Sequence, residues 1–100
     1  MSKVTEITYY APRENRKDWT IEHEMIGHMK RIWKVSEYTL GTVFIGEHAG
    51  TEYAAITFAS HTDYADLQDH WHENSEWLAV LDKYLPHVKP VVARSLLNLA

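Results

Sequence analysis

The amino-acid sequence predicts one α+β domain, with four strands and two helices in the order βαββαβ. Three observations support this prediction. The chain has 100 residues, 45% of them hydrophobic, which is the size of one ordinary domain. Runs of β-branched and aromatic residues alternate with two stretches of helical periodicity. The absence of cysteine excludes disulfides, thiolate metal sites and thiol nucleophiles. We therefore expect residues 1–100 to fold as a single domain.

The first strand and the first helix follow from residue spacing. Residues 4–10, VTEITYY, are rich in β-branched and aromatic side chains. Their alternation places Thr5, Ile7 and Tyr9 on one face and the remaining four on the other. A helical stripe then predicts the first helix over about residues 18–34. The residues that form this stripe are Ile21, Met25, Met29 and Ile32.

The second half of the chain predicts a hairpin, a long helix and a last strand. Residues 38–46 and 53–60 are two apolar strands, and turn glycines lie between them. Ser60 followed by Asp63 is typical of a helix start, and one apolar face continues from about residue 62 to residue 84. Asn74 and Ser75 mark the point where this helix can kink or split. Residues 91–99 follow two prolines and predict the last strand.

This element order packs most simply as a four-stranded antiparallel sheet with both helices on one face, the ferredoxin-like arrangement. The opposite face of the sheet is then uncovered. Each strand carries apolar side chains on both faces, so we expect a second copy of the chain to cover it. The predicted assembly is a homodimer in which sheet faces sheet.

Two short motifs resemble those of a known superfamily. Residues 6–10, Glu-Ile-Thr-Tyr-Tyr, match the pattern Glu-x-Arg-x-Tyr at Glu6 and Tyr10, with Thr8 in place of the arginine. Residues 74–77, Asn-Ser-Glu-Trp, match the last two positions of Asp-Pro-Glu-Trp. The chain thus resembles the dimeric α+β barrel superfamily, and within it the NIPSNAP-like proteins.

The resemblance implies several functions. The superfamily includes antibiotic-biosynthesis monooxygenases without cofactors, haem-degrading enzymes, isomerases and proteins of unassigned activity. One implied function is a cofactor-free oxygenase, or a related enzyme, acting on an aromatic or polyketide-like compound. The alternatives are a non-catalytic module that binds a small apolar ligand, and a structural protein whose pocket is filled by its own side chains. Fold alone does not choose among them.

Charge and hydropathy exclude other partners. Ten basic and fourteen acidic residues give a formal net charge of −4, which argues against nucleic acid, because phosphate binding needs clustered cations. The N-terminus lacks the apolar run of a signal peptide, and no stretch approaches the ~18 apolar residues of a membrane span. We expect a cytoplasmic protein without a membrane partner.

Metal and haem sites are not expected either. His23 and His28 are five positions apart, about 140° around a helix, whereas the zinc-protease signature needs four positions to place both histidines on one face. The resemblance to haem-degrading enzymes would require an Asn on the first strand and a haem-binding His about ten residues beyond Trp71. The sequence has neither. We expect no metal and no cofactor.

Helical phase selects the candidate catalytic residues. Glu22 falls among the apolar residues of the first helix, where a carboxylate is desolvated or paired. It is a candidate general base, pocket anchor or ion-pair partner of Arg94. The alternative is that Glu22 reaches water in the first helical turn.

On the second helix, treated as continuous, His70 and Asn74 lie near the apolar arc beside Trp71. His70 and Asn74 are candidate catalytic groups, and Trp71 is a candidate wall of the substrate pocket. The alternative is that His70 and Asn74 belong to the helix surface. His28 and Tyr9 complete the predicted substrate-binding set.

Overall fold

The computed structural model describes residues 2–12, 19–88 and 90–99. Four strands and three α-helices follow in the order β1, α1, β2, β3, α2, α3, β4. The strands are β1 (Val4–Tyr10), β2 (Val35–Thr42), β3 (Glu52–Phe58) and β4 (Val91–Asn98). The helices are α1 (Thr20–Trp33), α2 (His61–His70) and α3 (Ser75–Tyr84), with 3₁₀ turns at Trp71–Glu73 and Leu85–His87.

The strands form one antiparallel sheet in the order β2-β3-β1-β4. The central strand β1 pairs with β3 on one side, Val4 opposite Phe58, and with β4 on the other, Thr8 opposite Arg94. The helices pack on one face of this sheet, so the predicted ferredoxin-like α+β fold is confirmed. β2 and β4 are the two edge strands.

The hydrophobic core lies between the helices and the sheet. The indole rings of Trp33 and Trp77 meet edge to face, with centroids 6.4 Å apart, and join α1 to α3. Phe58 on β3 is 1% exposed and closes the core from the sheet side. The other buried members of this cluster are Val35, Leu67, Val80 and Tyr84. Apolar burial of this kind contributes about 25 cal/mol per Å² and holds the helices on the sheet.

Helix α1 ends where the chain must turn sharply into β2. Lys34 has a left-handed backbone conformation, with φ 58° and ψ 37°, and it terminates the helix directly after Trp33. Val35 then begins β2. The prediction of a helix over residues 18–34 is therefore confirmed in substance, although residue 18 lies outside the described residues.

The predicted second helix is split, which corrects the assumption of one continuous helix. Asn74 has an extended backbone, with φ −94° and ψ 105°, and separates α2 from α3. Its Oδ1 accepts a hydrogen bond from the Trp77 backbone N–H at 2.8 Å, so it is the N-cap of α3. At the start of α2, the Ser60 hydroxyl accepts from the Asp63 N–H at 3.2 Å, as the sequence predicted.

The predicted second strand begins and ends too late. β2 starts at Val35 rather than residue 38 and stops at Thr42, which pairs with Glu52 at the start of β3. Residues 43–51 form the connection, and Gly46 and Gly50 take positive φ angles of 111° and 88° there. Phe44 is 90% exposed at the tip of this connection, so an apolar run lies in a loop rather than in a strand.

The sheet face opposite the helices carries a mixture of apolar and polar side chains. Thr5, Ile7 and Tyr9 lie on this face of β1, as alternation predicted. The Thr5 and Thr57 hydroxyls are 2.7 Å apart across the strands, and the Tyr9 ring packs on His48 with centroids 4.2 Å apart. Among the described residues, no helix is long and apolar enough to cross a membrane.

Candidate functional site

A cavity of about 290 Å³ lies between the sheet and helices α1 and α3. Its volume is near the lower end of the ~300–1,000 Å³ typical of small-molecule sites. The lining residues from the sheet are Glu6, Thr8, Tyr10, Leu40, Glu52, Ala54, Ile56, Val91 and Arg94. Those from the helices and their flanking segments are Trp19, Glu22, Met25, Ile26, Met29, Trp77, Leu81, Leu85 and Val88.

The cavity has two walls of different character. The helix wall is mainly apolar, because α1 and α3 turn their hydrophobic stripes toward the sheet. Its members are Met25, Ile26, Met29, Trp77 and Leu81. The polar wall, defined here as Glu6, Thr8 and Tyr10 of β1 with Arg94 of β4, lies on the facing side of the sheet. A bound molecule therefore meets hydrocarbon on one side and hydrogen-bonding groups on the other.

Strand alternation builds the polar wall. Glu6, Thr8 and Tyr10 are two positions apart, so all three side chains point to the helix side of β1. Thr8 lies directly opposite Arg94 in the antiparallel register, which brings the guanidinium to the same face. The wall is thus a continuous strip across two neighbouring strands.

Glu6 is held by a tyrosine from α2. The Tyr64 hydroxyl donates a hydrogen bond to Glu6 Oε2 at 2.7 Å. Burial, and then the hydrogen bond to Glu6, raise the pKa of Tyr64 to about 12. Tyr64 therefore keeps its proton at ordinary pH and acts as a fixed donor, which leaves Glu6 Oε1 as the carboxylate oxygen without that contact.

Arg94 is the cation of the polar wall. Among the described residues, no carboxylate oxygen forms an ion pair with its guanidinium within 4.0 Å. Burial raises the pKa of the neighbouring Tyr10, and Arg94 acts in the opposite direction. Tyr10 thus remains a neutral hydroxyl beside a positive charge. Arg94 is exposed on an edge strand, where the cavity meets solvent.

Two further carboxylates line the cavity. Glu22 is partly buried in the first turn of α1, so its helical phase correctly placed it against the apolar core, although it is not fully enclosed. Glu52 is 7% exposed at the start of β3. Each already has an interaction partner. The predicted ion pair between Glu22 and Arg94 is not formed, because Arg94 has no ion-pair partner among the described residues.

The structure places His70, Trp71 and Asn74 outside the cavity. His70 is exposed, and its Nδ1 lies 3.0 Å from Glu73 Oε2. That hydrogen bond raises the pKa of His70. Trp71 is 42% exposed, and Asn74 caps α3. Their predicted position on the inward arc is wrong, because the arc was drawn on a continuous helix and the break at Asn74 changes the phase.

The two predicted substrate-binding residues also lie elsewhere. His28 Nδ1 is 2.9 Å from the Arg31 guanidinium, and its ring lies 5.9 Å from that of Tyr84. Tyr9 faces away from the helices and packs on His48. Neither lines the cavity. Among the residues that the structure describes, no group of three or more metal-binding side chains is assembled.

The polar wall contains residues that sequence reasoning did not select. Glu6 and Tyr10 were noted only for the motif, and Tyr64 was not singled out. The available signal was alternation in β1, which placed Glu6, Thr8 and Tyr10 on the face opposite Tyr9. The Glu6–Tyr64 contact joins residues 58 positions apart, and no local pattern predicts it.

Comparisons with known proteins support the fold. No protein-family model matches the chain, and no curated protein matches it. A DABB family protein with a ferredoxin-like fold from Mesorhizobium loti aligns with a TM-score of 0.53 and 12% identity, over 100% of this chain and 97% of that one. The hydroxynitrile lyase from Passiflora edulis aligns with a TM-score of 0.57 and 15% identity, over 98% and 94%.

A third similar structure is described as a dimeric ferredoxin-like protein of unknown function from Jannaschia sp. CCS1. It aligns with a TM-score of 0.50 and 9% identity, over 98% of both chains. At such identities the likeness shows a shared fold and carries no activity with it. The chain therefore has the ferredoxin-like fold of these proteins over nearly its whole length.

Proposed function

We propose that the protein binds a small, largely apolar organic molecule in the cavity and acts on it by acid–base chemistry at Glu6. The observation that carries this proposal is a carboxylate, held by Tyr64 at 2.7 Å, in the wall of an otherwise mainly apolar cavity. A general base needs to be positioned within hydrogen-bonding reach of its substrate and shielded from bulk water. Glu6 lines the cavity and is partly buried, which supports this role.

The chemistry supported by this arrangement is proton removal. A proton bound to carbon or oxygen of the substrate passes to Glu6, and the electron pair left behind is delocalised onto a substrate oxygen near Arg94. The guanidinium and the Tyr10 hydroxyl stabilise that developing negative charge. Tyr64 is a positioning residue, because it touches Glu6 rather than the substrate.

A cofactor-free oxygenase for aromatic or polyketide-like compounds is the finer function that we propose, since such an enzyme first needs its substrate as an anion. The Passiflora protein is a hydroxynitrile lyase, and an aromatic hydroxynitrile also combines an apolar body with an acidic hydroxyl. Aromatic hydroxynitriles are therefore among the compounds to be tested as substrates. Membership among NIPSNAP-like proteins and a cytoplasmic location remain predictions from the sequence.

Non-catalytic ligand binding is the second candidate. The same cavity supports it, because two apolar helices and a polar wall bind a small molecule whether or not a proton moves. Binding of a compound without its turnover would select this function.

Tryptophan fluorescence tests the proposal directly, because Trp19 and Trp77 line the cavity while Trp71 lies outside it. We expect aromatic ketones or hydroxynitriles to change the fluorescence of the wild-type protein and of Trp71→Phe alike. At saturating ligand, Glu6→Gln is expected to lose turnover by about 10²-fold or more, whereas Glu47→Gln, on the exposed hairpin connection, is the matched control and should turn over like the wild type. Equal turnover in both variants would overturn the role of Glu6.

We also propose a homodimer through the open sheet face, the assembly that the sequence predicts. Ile7, Tyr9 and the 43% exposed Leu97 place apolar surface on this face. The Jannaschia protein, similar in fold, is described as dimeric. A stable dimer of this kind should bury more than ~1,500 Å².

A further inference from the structure

We propose that the polar wall selects a neutral ligand that carries both a hydroxyl and a carbonyl oxygen, with the hydroxyl donating to Glu6 and the carbonyl accepting from Arg94. This inference rests on the proposed function, because it names the class of molecule that the cavity takes. It assigns two ligand atoms to two residues.

Donor and acceptor chemistry defines the two contacts. A guanidinium has only donors, so Arg94 can bind an acceptor such as a carbonyl oxygen. The Glu6 carboxylate accepts, and Tyr64 already occupies Oε2. The remaining acceptor, Oε1, fits a ligand hydroxyl. Tyr10 and Thr8 lie along the same strip and add hydroxyls between and beside the two charged groups.

The separation of the two charges favours a neutral ligand. Glu6 and Arg94 line the same wall but do not form an ion pair within 4.0 Å. A ligand anion is attracted by Arg94 and repelled by Glu6, whereas a ligand cation is attracted by Glu6 and repelled by Arg94, so one of the two groups opposes the binding of either ion. A neutral molecule with a donor and an acceptor gains from both.

Two further carboxylates line the cavity. Glu22 and Glu52 each have an interaction partner already. The helix wall, with Met25, Met29 and Trp77, contributes apolar and aromatic contact. The ligand is therefore a compact hydroxycarbonyl compound with an aromatic or alkyl body that packs against the helices.

A matched set of small aromatic probes tests the inference. We would measure the affinities of α-hydroxyacetophenone, acetophenone, 1-phenylethanol, benzoate and benzylamine for the full-length protein by calorimetry. The first compound has both polar groups, the next two have one each, and the last two carry opposite charges. We expect α-hydroxyacetophenone to bind about tenfold or more tightly than any of the others, since a hydrogen bond to a charged group is stronger than one between neutral groups.

Two charge-removing variants identify the contacts separately. Arg94→Met should remove the advantage given by the carbonyl and make benzylamine the better of the two ions, because Glu6 is then unopposed. Glu6→Gln should remove the advantage given by the hydroxyl and raise the affinity for benzoate relative to the wild type, because one carboxylate fewer repels the anion. Arg31→Gln, on the exposed side of α1, is the matched control and should leave the order of affinities unchanged.

The outcomes separate the inference from the function on which it rests. Tight binding of several probes without the preference for the hydroxycarbonyl, or with the same preference in Arg94→Met and Glu6→Gln, overturns the inference and leaves the binding cavity standing. Binding of none of the five probes contradicts both. Circular dichroism of each variant confirms that it is folded before its affinities are compared.

Discussion

Glu6 and Tyr64 show how one contact gives a carboxylate a defined orientation. The tyrosine hydroxyl is 2.7 Å from Glu6 Oε2, and a charge-assisted hydrogen bond of this kind is stronger than one between neutral groups. Because Tyr64 comes from α2 and Glu6 from β1, the pair also links this helix to the sheet. The orientation of the candidate base depends on tertiary packing, not on neighbouring residues.

The titration of Tyr64 should report this contact. Its folded pKa is raised from 10.0 to about 12, so the protonated form is favoured by the fold. The stabilisation is complete below pH 10 and is lost as the pH rises from 10 to 12. Ultraviolet absorbance of phenolate should show late-ionising tyrosine that is diminished in Tyr64→Phe but retained in Tyr38→Phe. Ionisation of all tyrosines near pH 10 in the folded protein would contradict the contact.

His70 should titrate as a surface group paired with Glu73. The hydrogen bond to Glu73 raises the pKa of His70 above its usual 6.5, and His70 lowers the pKa of Glu73. The pair therefore stabilises the fold while His70 is protonated and Glu73 is ionised, and this contribution is lost as the pH rises through the folded pKa of His70 or falls through that of Glu73. Histidine NMR should show a lower His70 pKa in Glu73→Gln and no change in Glu76→Gln. Since His70 lies outside the cavity, His70→Ala should bind ligand like the wild type.

Sequence reasoning identified some site residues and missed others for physical reasons. Glu22 was found because the phase of a helix is local information, and Arg94 was named only as a candidate ion-pair partner of Glu22. Tyr64 was missed because its partner lies on another element. His70 and Asn74 were misplaced because their positions were predicted on one continuous helix. The extended backbone of Asn74 divides that helix, so helical phase cannot be counted across it.

Asn74 separates the two helices α2 and α3 in the second half of the chain. Its extended backbone ends the preceding 3₁₀ turn, and its side chain caps α3. The cap lets α3 start in a new direction, with Trp77 and Val80 buried against the core. The sequence indicated this point as a kink or split, but composition does not give the angle between the two helices.

Removal of the cap should destabilise the protein measurably. Asn74→Ala leaves the Trp77 backbone N–H without its side-chain acceptor at 2.8 Å, and loss of an N-cap costs about 1 kcal/mol. Ser75→Ala, on the exposed first position of α3, is the control and should stay within ~0.5 kcal/mol. Urea unfolding measures both. Equal stabilities of the two variants would show that the cap is unimportant.

Strand positions were predicted better than strand ends. β1 has the predicted bounds because alternation and composition agree over its whole length. β2 does not, because the apolar residues Phe44 and Ile45 continue past the last residue that pairs with β3 and are exposed in the connection. Pairing with another strand sets where a strand ends, and a single segment of sequence does not contain that information.

The two faces of the sheet have different surroundings in the whole molecule. The helix side holds the core and the cavity, whereas the open face presents Ile7, Tyr9 and Leu97. Apolar surface that is not covered by the chain itself is typical of an interface. The proposed dimer would leave the cavity on the outer side of each sheet.

A charge on the open face should therefore disrupt the dimer. Leu97→Asp places a carboxylate in the proposed interface, and we expect sedimentation velocity to show dissociation at micromolar concentration. Leu78→Asp is the matched control, because Leu78 is similarly exposed, 40% against 43%, but lies on α3. A wild-type protein that sediments as a stable monomer at micromolar concentration would contradict the dimer.

The methionine methyl groups report directly on whether a ligand occupies the cavity. The chain has three methionines, of which Met25 and Met29 line the cavity. With ¹³C-methyl methionine, titration with α-hydroxyacetophenone should shift both signals saturably, and the Trp71 indole N–H signal should not move. Unchanged Met25 and Met29 signals, together with a saturable shift of Trp71, would place the ligand on the outer helix surface and rule out the cavity as its site.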